Sequence, residues 1–292
     1  FQLCLKEGLT VFRDQQFSAH ERSAAVQRIA DVEALRARQF PEDQGPLAHP
    51  VRPEEYVEIN NFYTATVYEK GAEVIGMLHR LAGPEGYRRA LDLYFERHDG
   101  EACTIEQFRK CFEDALGRDL SQFARWWSQA GTPRVSVRQE RDGDDLVMTL
   151  SQTTPPTAGQ AEKQPLVIPL AVGVLGPDGA ERAPTALYLL DTDSQSWRIR
   201  GAARGEGAPV LSLNRGFSAP VILDDGQSTA ERALLLAHDT DPFARWEAGR
   251  RYSVEVALAA IRRGAAVPEA WTEALGRVLT DDTLEPAFRA RV

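Results

Sequence analysis

Apolar residues recur every three to four positions through residues 1–133, then alternate or run together to about residue 225, then return to helical spacing. That order predicts helices, then strands, then helices. Residues 1–12 open on apolar positions with no start signal, as a helix cut midway would. Ser18-Ala19-His20-Glu21 fits a capping box, and Val26, Ile29, Val32 and Leu35 continue at helical spacing beyond it. Residues 40–58 carry Pro41, Pro46, Pro50 and Pro53 and predict a long irregular loop, a kind of segment that is often functional.

The spacing of Val67, Val74, Ile75, Leu78 and Leu81 predicts a helix over residues 64–81, stopped by Gly83-Pro84, with a further helix to His98. Thr104-Ile105-Glu106-Gln107 is a second capping box, opening a helix with Phe108, Phe112, Ala115 and Leu116 inward and Gly117 at its end. Leu120, Phe123 and Trp127 extend the helical pattern to Gly131-Thr132-Pro133. From Arg134 the period falls to two. Residues 135–137, 146–150, 166–175, 187–190, 197–199, 210–213 and 221–223 predict about seven short strands, with Arg141-Asp142-Gly143 as a turn and Gly176-Pro177-Asp178-Gly179 ending the third. Their number and spacing predict a β-sandwich. Helical spacing returns from Ser228 in residues 233–237, 243–261 and 271–279.

The composition of the 292 residues, 43% hydrophobic and 26% charged, is that of a soluble globular protein long enough for two or three domains. No run of about 18 apolar residues exists to span a membrane. The formal net charge of −9 argues against a nucleic-acid partner. Cys4, Cys103 and Cys111 form no C-x-x-C pair and read as buried thiols of a reducing compartment. Gly201 to Gly207 lacks the residues of a phosphate cradle.

Two stretches carry the candidate chemistry: Leu5-Lys6-Glu7-Gly8-Leu9-Thr10, and residues 60–75, which contain Val67-Tyr68-Glu69-Lys70-Gly71. Together they resemble the zinc aminopeptidases of the aminopeptidase N type. Phe12-Arg13-Asp14-Gln15, Ala48-His49-Pro50, the segment from Tyr94 to Gly100, Ser128-Gln129-Ala130-Gly131-Thr132-Pro133 and the segment from Gln160 to Leu166 resemble its bacterial branch. The resemblance covers nearly the whole chain. It implies three regions: residues 1–133, the helical half of a thermolysin-like catalytic domain; 134–225, an antiparallel β-sandwich; and 226–292, the start of an α-helical C-terminal domain.

The resemblance also implies roles. Glu7 is the single carboxylate ligand of a catalytic zinc, and the Tyr68 phenol donates to the tetrahedral intermediate. Asn60 and Tyr63 line the substrate cleft. The family's H-E-x-x-H motif lies just before the Lys-Glu-Gly segment, whereas this chain begins at Phe1. No two of His20, His49, His79, His98 and His238 are four residues apart, so no helix presents a paired-histidine clamp. The chain therefore reads as an internal fragment, inactive alone, of a monomeric cytoplasmic enzyme acting on peptides.

Each residue also has a structural reading. Glu7 fits a solvated helix position. Tyr68 fits a core aromatic with a satisfied hydroxyl, and Asn60 and Asn61 fit a cap for the Tyr68 helix. Glu69 and Lys70 read as ionic support for the loop, and His49 as a hydrogen-bonded loop residue. Cys4 lacks the accompanying pattern of a nucleophile. Trp126 and Trp127 read as packing between the first helices and the sandwich. The alternative to a peptidase fragment is a non-catalytic interaction module derived from such enzymes.

Overall fold

The computed structural model describes residues 2–292. Helix α1 (Leu3–Glu21) runs on through Ser18, so the capping box expected there does not form. The break comes at Arg22 (φ −132°, ψ −129°), and Ser23 instead caps α2 (Ala24–Ala34), its Oγ accepting from the Val26 amide at 3.2 Å. A π-helix (Leu35–Gln39) leads directly into α3 (Phe40–Gln44). The loop expected over residues 40–58 therefore begins helically. Pro41 lies in α3 directly behind the π-helix, and irregular backbone starts at Gly45.

After a 3-10 turn (Ile59–Phe62), a second π-helix (Thr66–Lys70) opens α4 (Gly71–His98). Gly83, at φ 66°, breaks α4 ahead of Pro84, where the sequence places the stop. Thr104 and Gln107 form the expected reciprocal box on α5 (Ile105–Leu116), and Gly117 closes it in the left-handed region. Residues 118–133 are turns around the short α6 (Arg125–Ser128) rather than a continued helix. Leu120, Phe123, Trp126 and Trp127 are nonetheless buried, because a chain of turns can face one core without helical periodicity.

Seven strands follow: β1 (Arg134–Asp142), β2 (Asp145–Thr153), β3 (Ile168–Leu175), β4 (Glu181–Leu190), β5 (Ser194–Ile199), β6 (Val210–Leu213) and β7 (Ile222–Asp224). They form two sheets, β5-β2-β1-β7 and β4-β3-β6. The β1–β2 turn is centred on Gly143 (φ 63°), with Arg141 and Asp142 still in the ladder. One pairing departs from the expected antiparallel sandwich: β7 runs parallel to β1. It follows β6 of the other sheet, and after that crossing it enters beside β1 in the same direction. All eight residues of β3 are buried, which explains its unbroken apolar run. Helices α7 (Thr229–His238), α8 (Pro242–Arg263), α9 (Glu269–Thr280) and α10 (Pro286–Arg289) complete the chain, with Ser228 and Glu231 as the cap of α7. Among the described residues, no helix is long and apolar enough to cross a membrane.

One hydrophobic core runs from α1, α4 and α5 through Trp126 and Trp127 into both sheets. Trp126 is fully buried and its indole N–H donates to the Val167 carbonyl at 2.7 Å, so the tryptophan pair does join helices to sandwich. Arg28 of α2 ties three regions together. It grips Glu73 of α4 at both carboxylate oxygens (2.7 and 2.6 Å) and donates to the carbonyls of Gly216 and Phe217. These contacts fix α2 on α4, which shares a hydrophobic core with α1, and the three helices frame the candidate site.

Candidate active site

The site begins at a backbone contact. Gly8 of α1 and Gly71, the first residue of α4, meet face to face. A Cβ on Gly8 would lie 2.8 Å from the Gly71 carbonyl carbon, and one on Gly71 would lie 3.3 Å from the Gly8 Cα. Only two glycines allow helices this close. Each is the last residue of one of the two candidate motifs, Lys6-Glu7-Gly8 and Tyr68-Glu69-Lys70-Gly71, so the crossing brings Glu7 and Tyr68 together.

Tyr68 lies at the centre of the π-helix, whose wide turn is marked by the Gly71 amide donating back to the Thr66 carbonyl. The Tyr68 phenol is held above its ordinary pKa, first by desolvation and then by the Glu7 carboxylate beside it. The phenol therefore stays protonated through neutral pH and is available as a donor. Glu7 is half-buried and makes an ion pair with the exposed Lys6 ammonium at 3.2 Å, which raises the Lys6 pKa. The Tyr63 ring lies 6.2 Å from that of Tyr68 and is 56% exposed. Glu7, Tyr63, Tyr68 and Lys6 thus form one partly open cluster.

Asn60 is exposed in the Ile59–Phe62 turn and lines an adjoining groove of about 570 Å³ with Glu42, His49, Tyr56 and Thr64; neither Tyr63 nor Tyr68 lines it. Asn60 and Asn61 do not cap the Tyr68 helix. Asn61 instead caps its own turn, accepting from the Glu58 amide, and Thr64 Oγ1 accepts from the Val67 amide at 3.2 Å. Thr64 lies nearer the helix start than either asparagine, so its hydroxyl takes the cap.

Lys70 does act as ionic support, though with a partner not apparent from its neighbours. It is buried and paired at 2.7 Å with Asp43, which is completely buried. Asp43 also accepts from the Gly131 amide (2.7 Å) and the Thr132 hydroxyl (2.9 Å). Burial opposes its charge, but Lys70, with the Gly131 amide and the Gln39 side chain, outweighs burial and lowers its pKa below the ordinary carboxylate value. Glu42, the preceding residue, accepts from both the amide (2.8 Å) and the hydroxyl (2.6 Å) of Thr66. Sequence reasoning missed Glu42, Asp43 and Gly71. Adjacent acids in a proline-rich stretch read as solvated, and no local pattern links them to residues 66–70. Glu69 makes no pair with Lys70, and burial raises its pKa. His49 behaves as a loop residue, its Nδ1 hydrogen-bonded to the Pro50 carbonyl at 2.8 Å. Burial pushes the Cys4 thiol up to about 12, far from a nucleophile.

Among the described residues, no group of three or more histidine, cysteine, aspartate or glutamate side chains could hold a metal ion. Glu7, partly open, ion-paired with the exposed Lys6 and hydrogen-bonded to the Tyr68 side chain, has the chemistry of one carboxylate position of a metal site.

Residues 1–127 match the peptidase family M1 domain. Residues 131–226 match a domain of unknown function with an Ig-like fold, and residues 229–292 one with ARM repeats. The chain is 52% identical over 297 residues to aminopeptidase N of Caulobacter vibrioides, a match covering 99% of this chain and 34% of that protein. Residues 1–127 belong to peptidase family M1. Aminopeptidase N of Escherichia coli is 41% identical to this chain, covering 100% of it and 35% of the relative. The chain thus spans about a third of the length of these curated relatives, which are aminopeptidases. A crystal structure of Legionella pneumophila aminopeptidase A in complex with aspartic acid superposes with a TM-score of 0.84 at 26% identity, covering 100% of this chain and 32% of that one. Helical M1 segment, Ig-like sandwich and helical repeats thus follow in the order that the hydrophobic pattern predicts.

Proposed function

We propose that the protein to which this chain belongs is a zinc-dependent aminopeptidase that removes N-terminal residues from peptides. The observation that carries this reading is the Gly8–Gly71 crossing, which sets a carboxylate and a protonated phenol side by side in a partly open cluster. Glu7 is assigned as one ligand of the zinc, which when bound supplies a water acidified toward pKa about 7. Tyr68 donates a hydrogen bond to the oxyanion that develops on the scissile carbonyl, and its raised pKa keeps the proton available. The exposed Tyr63 ring beside Tyr68 and Asn60 in the adjoining groove are assigned to contact the peptide. We assign the functional division of the chain to residues 1–133, 134–225 and 226–292. The enzyme would be a cytoplasmic monomer with peptides as partners and neither nucleic acid nor membrane.

We further propose that these 292 residues alone are inactive, since they contain no two histidines at i, i+4. A non-catalytic module derived from such enzymes is the competing reading. Steady-state kinetics of the full-length protein on an amino-acid amide, with and without chelator, decides between them. Turnover abolished by chelation and restored by zinc is expected; no turnover under any metal would leave the non-catalytic module.

A further inference from the structure

The conformation of the segment that carries Tyr68 needs an explanation. A π-helix is a rare, weakly held form of backbone that persists where its surroundings impose it. Removing its extra residue would turn Tyr68 by about 100° relative to α4, away from Glu7. Something must therefore hold residues 66–70 in the wide turn.

Two adjacent carboxylates do so. Glu42 Oε1 takes the first end, accepting both the Thr66 amide and the Thr66 hydroxyl, with the Gln39 amide group adding a third contact to that hydroxyl at 3.3 Å. Asp43 takes the last end through the Lys70 ammonium, and the same ammonium donates to the Gly131 carbonyl at 3.1 Å. The pair at this end is almost fully withdrawn from water, with side-chain exposures of 2% and 0%. Separating it would leave a bare charge in the interior, so this end is stiff. Both carboxylates sit on α3, which Phe40 anchors in the core beside Ile29, Val32 and Leu35.

We propose that Glu42 and Asp43 are positioning residues that clamp the two ends of the Thr66–Lys70 π-helix and so aim the Tyr68 hydroxyl. The assignment rests on the reading of Tyr68 as the oxyanion donor, and it adds to that reading a pair of carboxylates behind the phenol, of which Asp43 is buried and Glu42 also lines the groove that holds Asn60. Their effect on kcat is exerted through Tyr68. That separates this role from a general contribution to folding, which would damage the enzyme whether or not the phenol is present.

The test is a double-mutant cycle in the full-length, zinc-loaded protein. Glu42→Ala is made alone and in a Tyr68→Phe background, with kcat, KM, zinc content and thermal midpoint measured for each. A misdirected donor costs on the order of tenfold or more, so Glu42→Ala is expected to lower kcat by about tenfold. KM should change less than about twofold and zinc should stay near one per chain, because only the transition-state contact is lost. In the Tyr68→Phe background the same substitution is expected to change kcat by less than about twofold. Glu42→Asp keeps the charge but is one methylene too short, and should resemble Glu42→Ala. If Glu42→Ala does not fold, Glu42→Gln and Asp43→Asn run through the same cycle. Equal losses in both backgrounds, or no loss in either, overturn the clamp. Full kcat in Tyr68→Phe alone overturns instead the role of Tyr68, and the clamp falls with it.

Discussion

Replacing Gly8 by alanine puts a methyl group into the tightest backbone contact of the site. The new Cβ would lie 2.8 Å from the Gly71 carbonyl carbon and 3.1 Å from both its Cα and its oxygen. Ordinary contact begins near 3.4 Å, so α1 and the start of α4 must separate by about 0.6 Å. Backbone opposes backbone here, and no flexible side-chain end can yield. Overpacking of this kind typically costs about 1–3 kcal/mol. Alanine returns about 1 kcal/mol through its better helix propensity, leaving a net loss of about 1 kcal/mol. Gly276 provides the control. It lies within α9 with nothing within 4 Å of its would-be Cβ, so Gly276→Ala should gain about 1 kcal/mol from propensity alone. Chemical denaturation of the full-length protein, with Gly8→Ala and Gly276→Ala side by side, should therefore move the midpoint in opposite directions. The same 0.6 Å opening separates Glu7 from Tyr68, and kcat for Gly8→Ala should fall by about tenfold, given that misplacement by 1 Å can cost about a hundredfold. A Gly8→Ala protein as stable as Gly276→Ala, with full kcat, would refute the crossing as the device that pairs the two residues.

In the full-length protein, Tyr68→Phe should lower kcat by about 10²–10³-fold with KM and zinc content nearly unchanged, whereas Glu7→Ala should lower zinc affinity itself. Kinetics and metal analysis on the two variants separate these outcomes. The isolated 292-residue chain should bind no stoichiometric zinc and hydrolyse no amino-acid amide, because its histidines offer no paired clamp; one zinc per chain after dialysis would disprove this. Asp43→Ala should destabilise the protein by about 3–5 kcal/mol, since it strands the buried Lys70 charge, as denaturation would reveal. The Asp43 pKa is lowered in the folded state, so its contribution to stability is complete above the unfolded value of about 3.9 and is lost as pH falls through the lower folded value. A stability–pH profile on Asp43→Asn should lack that acidic loss.

Much of the local structure was legible because local causes produced it. Thr104 caps its helix as Gln107 at the third position implies, and Gly83, Gly117 and Gly143 stop or turn the chain in backbone that favours glycine. Ser18 shows the limit of such patterns: it offers the same box, but α1 packs through it, and Ser23 takes the cap five residues later. The prolines of residues 40–58 suggest irregularity throughout, yet Pro41 lies in a helical turn that continues the π-helix before it.

Periodicity and caps alone determined the succession of helices, strands and helices, because burying a face leaves a period in the chain and each cap is satisfied within a few residues. The two motifs named the candidate chemistry through resemblance. Only the tertiary structure decided how those motifs meet. It set Gly8 against Gly71, ran β7 parallel to β1, and wound residues 66–70 as a π-helix between Glu42 and Asp43. A charge in sequence reads as solvated, and Asp43 and Lys70 carry no local sign that they will lose water together. Their pairing spans 27 residues, and its energy exists only once the fold has excluded solvent from both.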